Sequence, residues 1–216
     1  MTKVLELCCG TKSFGNVFTE NGCDVVSIDI EKKFDPTHVI DIMEWDYENS
    51  IYSPYDFDII FASPPCIHYS LLQHAWLNKY KKKNGLYYLF TRRHLKESIE
   101  ESNNLVQRIL DIIQYFQPNN FIIENPQTGR LKEQELMKGI PYCDATYCQY
   151  GMPYMKKTRF WNDANLKLKF CDMNCGSYCS IKKAHKLEIS KNVSGNKKRS
   201  IIPKKLVEDI FKQLHH

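Results

Sequence analysis

Short apolar runs, each halted by a glycine, an acid or a proline, dominate the first 126 residues. Residues 3–9 run into Gly10, 24–30 carry Asp29 near their end, and 38–42 carry Asp41. Residues 57–62 stop at Ser63-Pro64-Pro65, and 121–123 stop at Glu124-Asn125-Pro126. Runs this short and this apolar read as buried strands. Helical patterns lie between and after them. Residues 14–21 close at Gly22, which suits the left-handed residue that ends a helix. Ser98 and Glu101 have the spacing of a capping box, and apolar residues at 105, 109, 112, 113 and 116 keep helical period until Pro118. Pro203 opens a last helix whose core face is Leu206, Val207, Ile210, Phe211 and Leu214. Further strand-like pieces fall at 145–148 and 159–161, and the polar, basic stretch 70–96 is expected to be a long mobile segment, partly helical. Strands alternating with helices predict an α/β chain around an open, mainly parallel sheet. Ligands bind such sheets beyond the carboxyl ends of the strands. Gly10, Asp29, Asp41, Cys66 and Glu124 all fall at those ends.

A chain of 216 residues supports one core and a small appendage. No run reaches the length of a membrane span, and the amino terminus has no apolar leader. A cytoplasmic setting is therefore expected, or a nuclear one if the chain meets DNA there. Nine cysteines, an odd number, fit reduced thiols better than a full disulfide framework. Charge is uneven: residues 1–151 carry a net −5 and residues 152–216 a net +10. A basic end this pronounced is either a solvated surface or a phosphate-facing lobe.

The first turn excludes two cofactor classes. Gly10 and Gly15 have the spacing of a phosphate-binding loop, but Asn16-Val17 follows where that loop needs Lys-Ser or Lys-Thr. The three-glycine dinucleotide pattern is missing as well. A glycine turn with an acid at the end of the next strand remains. Asp29 can accept from ribose hydroxyls, and Asp41 from an exocyclic amine. The pair suits an adenosine ligand without phosphate. Each acid could equally end its strand in water.

Cys66 follows two prolines that fix the backbone and donate no hydrogen bonds. A cysteine so presented at a strand end is a candidate nucleophile, although a lone cysteine is usually a packing residue. Glu124-Asn125-Pro126 repeats the design with a carboxyl group. A thiolate and a neutral carboxylic acid together suit addition to an electron-poor ring.

In these residues the chain resembles the C5-cytosine DNA methyltransferases. Leu5-Glu6-Leu7-Cys8-Cys9-Gly10 is similar to the family's first cofactor motif, and Asp29 and Asp41 stand where it has its second and third cofactor acids. Ser63-Pro64-Pro65-Cys66 with Ser70 resembles its Pro-Cys motif, and Glu124-Asn125-Pro126 its Glu-Asn motif. Gly151-Met152-Pro153 with Lys157-Thr158-Arg159 is similar to its Arg-x-Arg motif, and Gly195-Asn196 with Arg199 to Pro203 to its closing motif. The resemblance implies a Rossmann-like S-adenosylmethionine-dependent fold, with Glu6, Cys8, Gly10, Thr11, Phe14, Asp29, Ile30, Asp41, Ile42, Ser63 and Pro64 around the cofactor. It implies methyl transfer to C5 of cytosine through a Cys66–C6 adduct, with Pro65, Glu124, Asn125 and Arg159 completing the catalytic set. The base must be flipped out or already single-stranded. DNA would meet Ser70, Lys81, Lys82, Lys83, Arg92, Arg93, Lys156, Lys157, Lys197, Lys198 and Arg199.

The chain departs from the family in several places. Cys8 replaces a Phe, Thr11-Lys12-Ser13 a glycine-richer turn, Met155 a Gln, and Lys157 the first Arg, which loses the bidentate fork. Only 35 residues separate Arg159 from Gly195, where typical members insert a target-recognition domain. Short or relaxed specificity follows, as in the compact enzymes of phages and large viruses. The expected division is a catalytic domain over 1–165, a small basic Cys-rich lobe over 166–200 and a returning helix over 201–216, in a chain assumed monomeric and without a membrane partner. Cys171, Cys175, Cys179 and His185 form a candidate structural zinc set, to which Cys143 and Cys148 could contribute; reduced thiols are the alternative. The rival functions are an amino-group methyltransferase acting on cytosine N4 or adenine N6, a C5-cytosine RNA methyltransferase, and a non-catalytic nucleic-acid-binding protein.

Overall fold

The structure is a computed structural model. It describes residues 1–173, Cys175, two short strands at Tyr178–Cys179 and Ala184–His185, and residues 200–215. The main sheet has seven strands. In chain order these are β1 (Lys3–Leu7), β2 (Asp24–Asp29), β3 (His38–Val39), β4 (Ile59–Ala62), β7 (Asn120–Pro126), β8 (Tyr142–Thr146) and β9 (Lys157–Asn162). Their order across the sheet is β3-β2-β1-β4-β7-β9-β8. The first five are parallel to their neighbours, and β9 runs antiparallel to both β7 and β8. The expected α/β architecture is thus present.

Helices cover both faces, which is why these strands read as nearly continuous apolar runs. On one face Leu5, Leu7, Ile60, Ile123 and Trp161 pack under helix α2 (Arg92–Phe116), through its Val106, Ile109, Ile112 and Phe116. On the other face Val4, Ile59, Phe61, Ile122 and Phe160 meet helix α1 (Ser13–Glu20) and helix α3 (Lys204–Leu214), through Phe14, Phe18, Leu206, Val207 and Ile210. The final helix starts one residue after Pro203 and lies against α1, with Phe211 edge-on to Phe18 at 5.2 Å. Chain order turns at β1: β2 and β3 go to one side, β4 and β7 to the other. The crevice beyond β1 and β4 is where a ligand sits in such a sheet.

Three expectations change. Residues 70–96 are ordered rather than a mobile segment. Ser70 caps a 3-10 turn at Leu71–Trp76, and strands β5 (Lys79–Lys83) and β6 (Leu86–Phe90) form an antiparallel hairpin. Asn84 and Gly85 make its two-residue turn, both with positive φ, which is the preferred chemistry for a tight hairpin. Helix α2 starts at Arg92, because Thr91 and His94 form the capping box in place of Ser98 and Glu101. β7 extends through Glu124-Asn125-Pro126, because β9 pairs alongside as far as Pro126. Strands β10 (Tyr178–Cys179) and β11 (Ala184–His185) pair with each other. No helix of the described residues is long and apolar enough to cross a membrane.

Candidate active site

The turn after β1 is wound tightly. Cys8, Gly10 and Lys12 all take left-handed φ, and two of them carry a side chain. Such conformations cost roughly 1–3 kcal/mol each and persist only where surroundings enforce them. The Asp29 carboxylate is one enforcer. It accepts from the Gly10 N–H at 2.8 Å through one oxygen and from the Glu31 N–H at 2.8 Å through the other. Burial pushes Asp29 above the usual carboxylate range, and the Gly10 amide opposes that shift. Glu6 is the second enforcer. It is fully buried beside the Phe14 and Gly15 backbone at the start of α1, and its Oε2 has no hydrogen-bond partner among the described residues. Burial pushes its pKa up to about 8, against those two amides. A side chain at residue 15 would collide with the Glu6 carboxylate, so Gly15 is fixed by packing.

The expected adenosine contacts divide. Gly10, Thr11, Asp29, Ile30 and Asp41 face the crevice or its rim, and Ile30 is 63% exposed beside Asp29. Asp41 uses one oxygen to accept the Met43 N–H at 2.9 Å. Glu6 and Phe14 instead lie inside. Phe14 is stacked between Phe61 at 4.0 Å and Phe18 at 4.3 Å, so its ring serves the core. Ile42 is buried, and Cys8 packs on the α2 side of the sheet, where burial pushes its thiol up to about 12.

The exits of β4 and β7 form the reactive end. Ser63 donates to Glu124 Oε2 at 2.8 Å, which places this residue on the acid. Asn125 is wholly buried and donates to the Pro64 carbonyl at 2.9 Å, tying the two exits together. Pro65 and Cys66 are exposed beyond that tie. Tyr147 donates to Glu124 Oε1 at 3.4 Å, and the Lys156 ammonium stands 3.6 Å from the same oxygen and donates to the Tyr147 hydroxyl at 3.3 Å. Burial disfavours the charge on Lys156, but Tyr147 and Glu124 more than offset it, so its pKa is raised. Burial pushes the Tyr147 phenol up as well. Cys66 lies within electrostatic reach of Lys156.

The resemblance gives Arg159 either the O2 side of the base or a place beside Glu124, and the structure sets it away from Glu124. Side chains alternate faces along a strand. Glu124 pairs with Phe160 in register, so Lys156, Thr158 and Phe160 share its face. Arg159 points to the opposite face. There it holds Asp144 bidentately at 2.8 and 2.9 Å and stacks over Tyr142 at 3.5 Å. Counting by two from Glu124's partner would have found Lys156. Tyr147 carries no motif signal and is placed by tertiary pairing alone.

Of the expected nucleic-acid residues, Lys82, Lys83, Arg92 and Arg93 are exposed. Lys81 is turned onto the Phe90 ring at 3.5 Å and bonds Gln73 at 2.7 Å. Lys157 stands over Phe170 at 5.7 Å. Lys197, Lys198 and Arg199, with Gly195-Asn196, lie outside the described residues, as do the side chains of Cys179 and His185.

This sheet order, with a glycine turn after β1 and acids after β2 and β3, defines a methyltransferase-type α/β fold. A solved structure described as a DNA modification methyltransferase encoded within an E. coli prophage is similar in fold. The TM-score is 0.50 at 16% identity, covering 75% of this chain and 46% of that one, so this chain spans about half of it. The "Probable DNA (cytosine-5)-methyltransferase" of Frog virus 3 (isolate Goorha) is 34% identical over 164 residues, or 74% of this chain and 70% of the relative. No family model matches the chain. The chain belongs to the DNA (cytosine-5)-methyltransferase family.

Proposed function

We propose that this chain transfers a methyl group from S-adenosylmethionine to C5 of cytosine in DNA, through a covalent bond between Cys66 and C6. The observation that carries the reading is the buried Glu124, held by Ser63, Tyr147 and Lys156 beside an exposed Cys66. The crevice residues fit the cofactor. Gly10 leaves room for close backbone approach, Asp29 is oriented by two amides and has lone pairs for ribose, and exposed Ile30 offers an apolar surface to adenine. When bound, S-adenosylmethionine supplies an electrophilic methyl group.

Cytosine C5 is a weak nucleophile. Addition of the Cys66 thiolate at C6 turns the ring into an enamine-like species. Lys156 favours the thiolate by charge. Glu124 accepts from the exocyclic amine through one oxygen and delivers a proton to N3 as the adduct forms, and its oriented neighbours Ser63, Tyr147 and Lys156 need no reorganisation. C5 takes the methyl group, then loses its proton to a base, and the returning electron pair expels Cys66. The target base leaves the stack, which the exposed Cys66 loop allows. The hairpin of β5 and β6 sits between the Cys66 loop and α2 in the chain, and its Lys82, Lys83, Tyr80 and Tyr87 offer charge and stacking surface to nucleic acid. The short segment between β9 and α3 supports short or relaxed specificity.

A tritiated methyl-transfer assay on duplex DNA, single-stranded DNA and tRNA, followed by nucleoside analysis, tests the proposal. The expected product is 5-methylcytosine in DNA. Label in N4-methylcytosine, N6-methyladenine or tRNA alone would overturn it, as would bound cofactor with no transfer to any substrate.

A further inference from the structure

Three cysteines meet away from the crevice. Cys148 sits in the 3-10 turn Tyr147–Tyr150 that follows β8, and Cys171 and Cys175 come from the segment after β9. Their sulfurs lie within 4.8 Å of one another, and all three residues are buried, at 4%, 4% and 8% exposure. Around a tetrahedral zinc the sulfurs stand about 3.8 Å apart, given Zn–S bonds of about 2.3 Å. The cluster therefore closes on an ion with small side-chain movements.

We infer that Cys148, Cys171 and Cys175 are three ligands of a structural zinc ion. Among the described residues, these cysteines and the partly buried Met155 form a separate core cluster. A metal bound there would add stability to this corner. The local backbone already suits thiolates. The Met173 N–H donates to the Cys171 sulfur at 3.3 Å, and the Cys171 N–H is fixed by the Thr146 hydroxyl at 2.7 Å. Zinc with three or four thiolates carries net negative charge, and the chain beyond residue 151 is strongly basic.

The turn after β8 brings in Cys148, which the sequence offers only as a possible contributor. The side chains of Cys179 and His185, the other candidates from the sequence, lie outside the described residues. The ion would staple the exit of β8 to the segment past β9. Cys148 directly follows Tyr147, and Met155 directly precedes Lys156, so the staple lies behind the two residues that hold Glu124. The inference does not depend on the reaction catalysed.

Elemental analysis of the full chain, purified without added zinc, tests it. The expected result is one zinc per chain. Cobalt(II) added to the stripped protein should bind one to one, with the visible bands and thiolate charge-transfer absorption of a tetrahedral sulfur-rich site. Cys148→Ser, Cys171→Ser and Cys175→Ser should each lose the metal, whereas Cys143→Ser, outside the cluster, should keep it. Cys179→Ser and His185→Ala assign the fourth ligand. The idea is overturned if the folded wild-type protein binds neither ion stoichiometrically, if mass analysis finds a disulfide among the three, or if Cys148→Ser retains full zinc. Should the serine variants not fold, the cobalt titration of the wild type decides alone.

Discussion

The exits of β4 and β7 are built alike and finish differently. Each is an apolar strand that delivers one functional side chain and is locked by proline. Beyond β4 the chain leaves the sheet, and Cys66 stands in solvent. Beyond Ile123 the strand continues, because β9 pairs with it, and Glu124 stays 4% exposed with three donors around it. The proposed nucleophile is exposed to a base arriving from outside. The acid is fixed before the base arrives, as electrostatic stabilisation of a transition state requires. One proline exit thus provides access and the other preorganisation.

The largest expected effect tests that contrast. Cys66→Ala should lower methyl transfer by ~10⁴-fold or more, as loss of a nucleophile does. It should leave stability within about 0.5 kcal/mol, because an exposed side chain packs against little. On 5-fluorocytosine DNA the wild type should form a covalent complex that survives denaturing electrophoresis, and the variant should not. Glu124→Ala should fail on both counts. It removes the acid and leaves the Lys156 charge buried without its partner, which costs roughly 3–5 kcal/mol. Equal thermal stability of the two variants would break the contrast.

The second effect compares two cations three residues apart. Lys156→Met should lower kcat by ~10²-fold, in the range for loss of one preorganised donor. Lys156→Arg should restore part of it. Arg159→Ala should change kcat less than about threefold and cost stability instead, since a half-buried charge-assisted pair with Asp144 is worth roughly 1.5–3 kcal/mol. Steady-state kinetics with urea unfolding of all three variants checks the assignment. A larger kcat loss from Arg159→Ala than from Lys156→Met would return the role to Arg159.

Much of the fold could be read because it rests on local pattern. Runs bounded by Gly10, Asp29, Pro64 and Pro118 gave strands and helices near their true places, and Pro203 located the last helix to within one residue. The failures share a cause. Residues 70–96 read as a mobile, partly helical segment because lysines and tyrosines fill them, yet Asn84-Gly85 between alternating residues is a hairpin signal. Motif spacing points Lys156 to DNA and Arg159 to the base or Glu124, whereas strand period puts Lys156 on the Glu124 face, because one residue of register exchanges the two faces. Cys148 joined Cys171 and Cys175 through pairing of β8 with β9, a contact between distant parts of the chain that no local pattern encodes.

The smallest effect separates the two fully enclosed glutamates. Glu124 has a cation and two hydroxyls; Glu6 has backbone amides, and burial dominates its titration. The folded-state pKa of Glu6, about 8, lies above its ordinary value of 4.5, so folding favours the protonated form. Its contribution to stability is therefore complete below pH 4.5 and is lost as pH rises through 8. Between those limits one proton gives at most ~1.4 kcal/mol per pH unit, or about 3–6 °C in Tm for a chain of this size. Glu6→Gln keeps the size and shape of the side chain and cannot ionise. Its melting temperature, followed from pH 5 to pH 8, should fall less steeply than that of the wild type, with the two closest at the acid end. Parallel curves would mean that Glu6 is ionised in the folded chain and that burial beside α1 does not hold its proton.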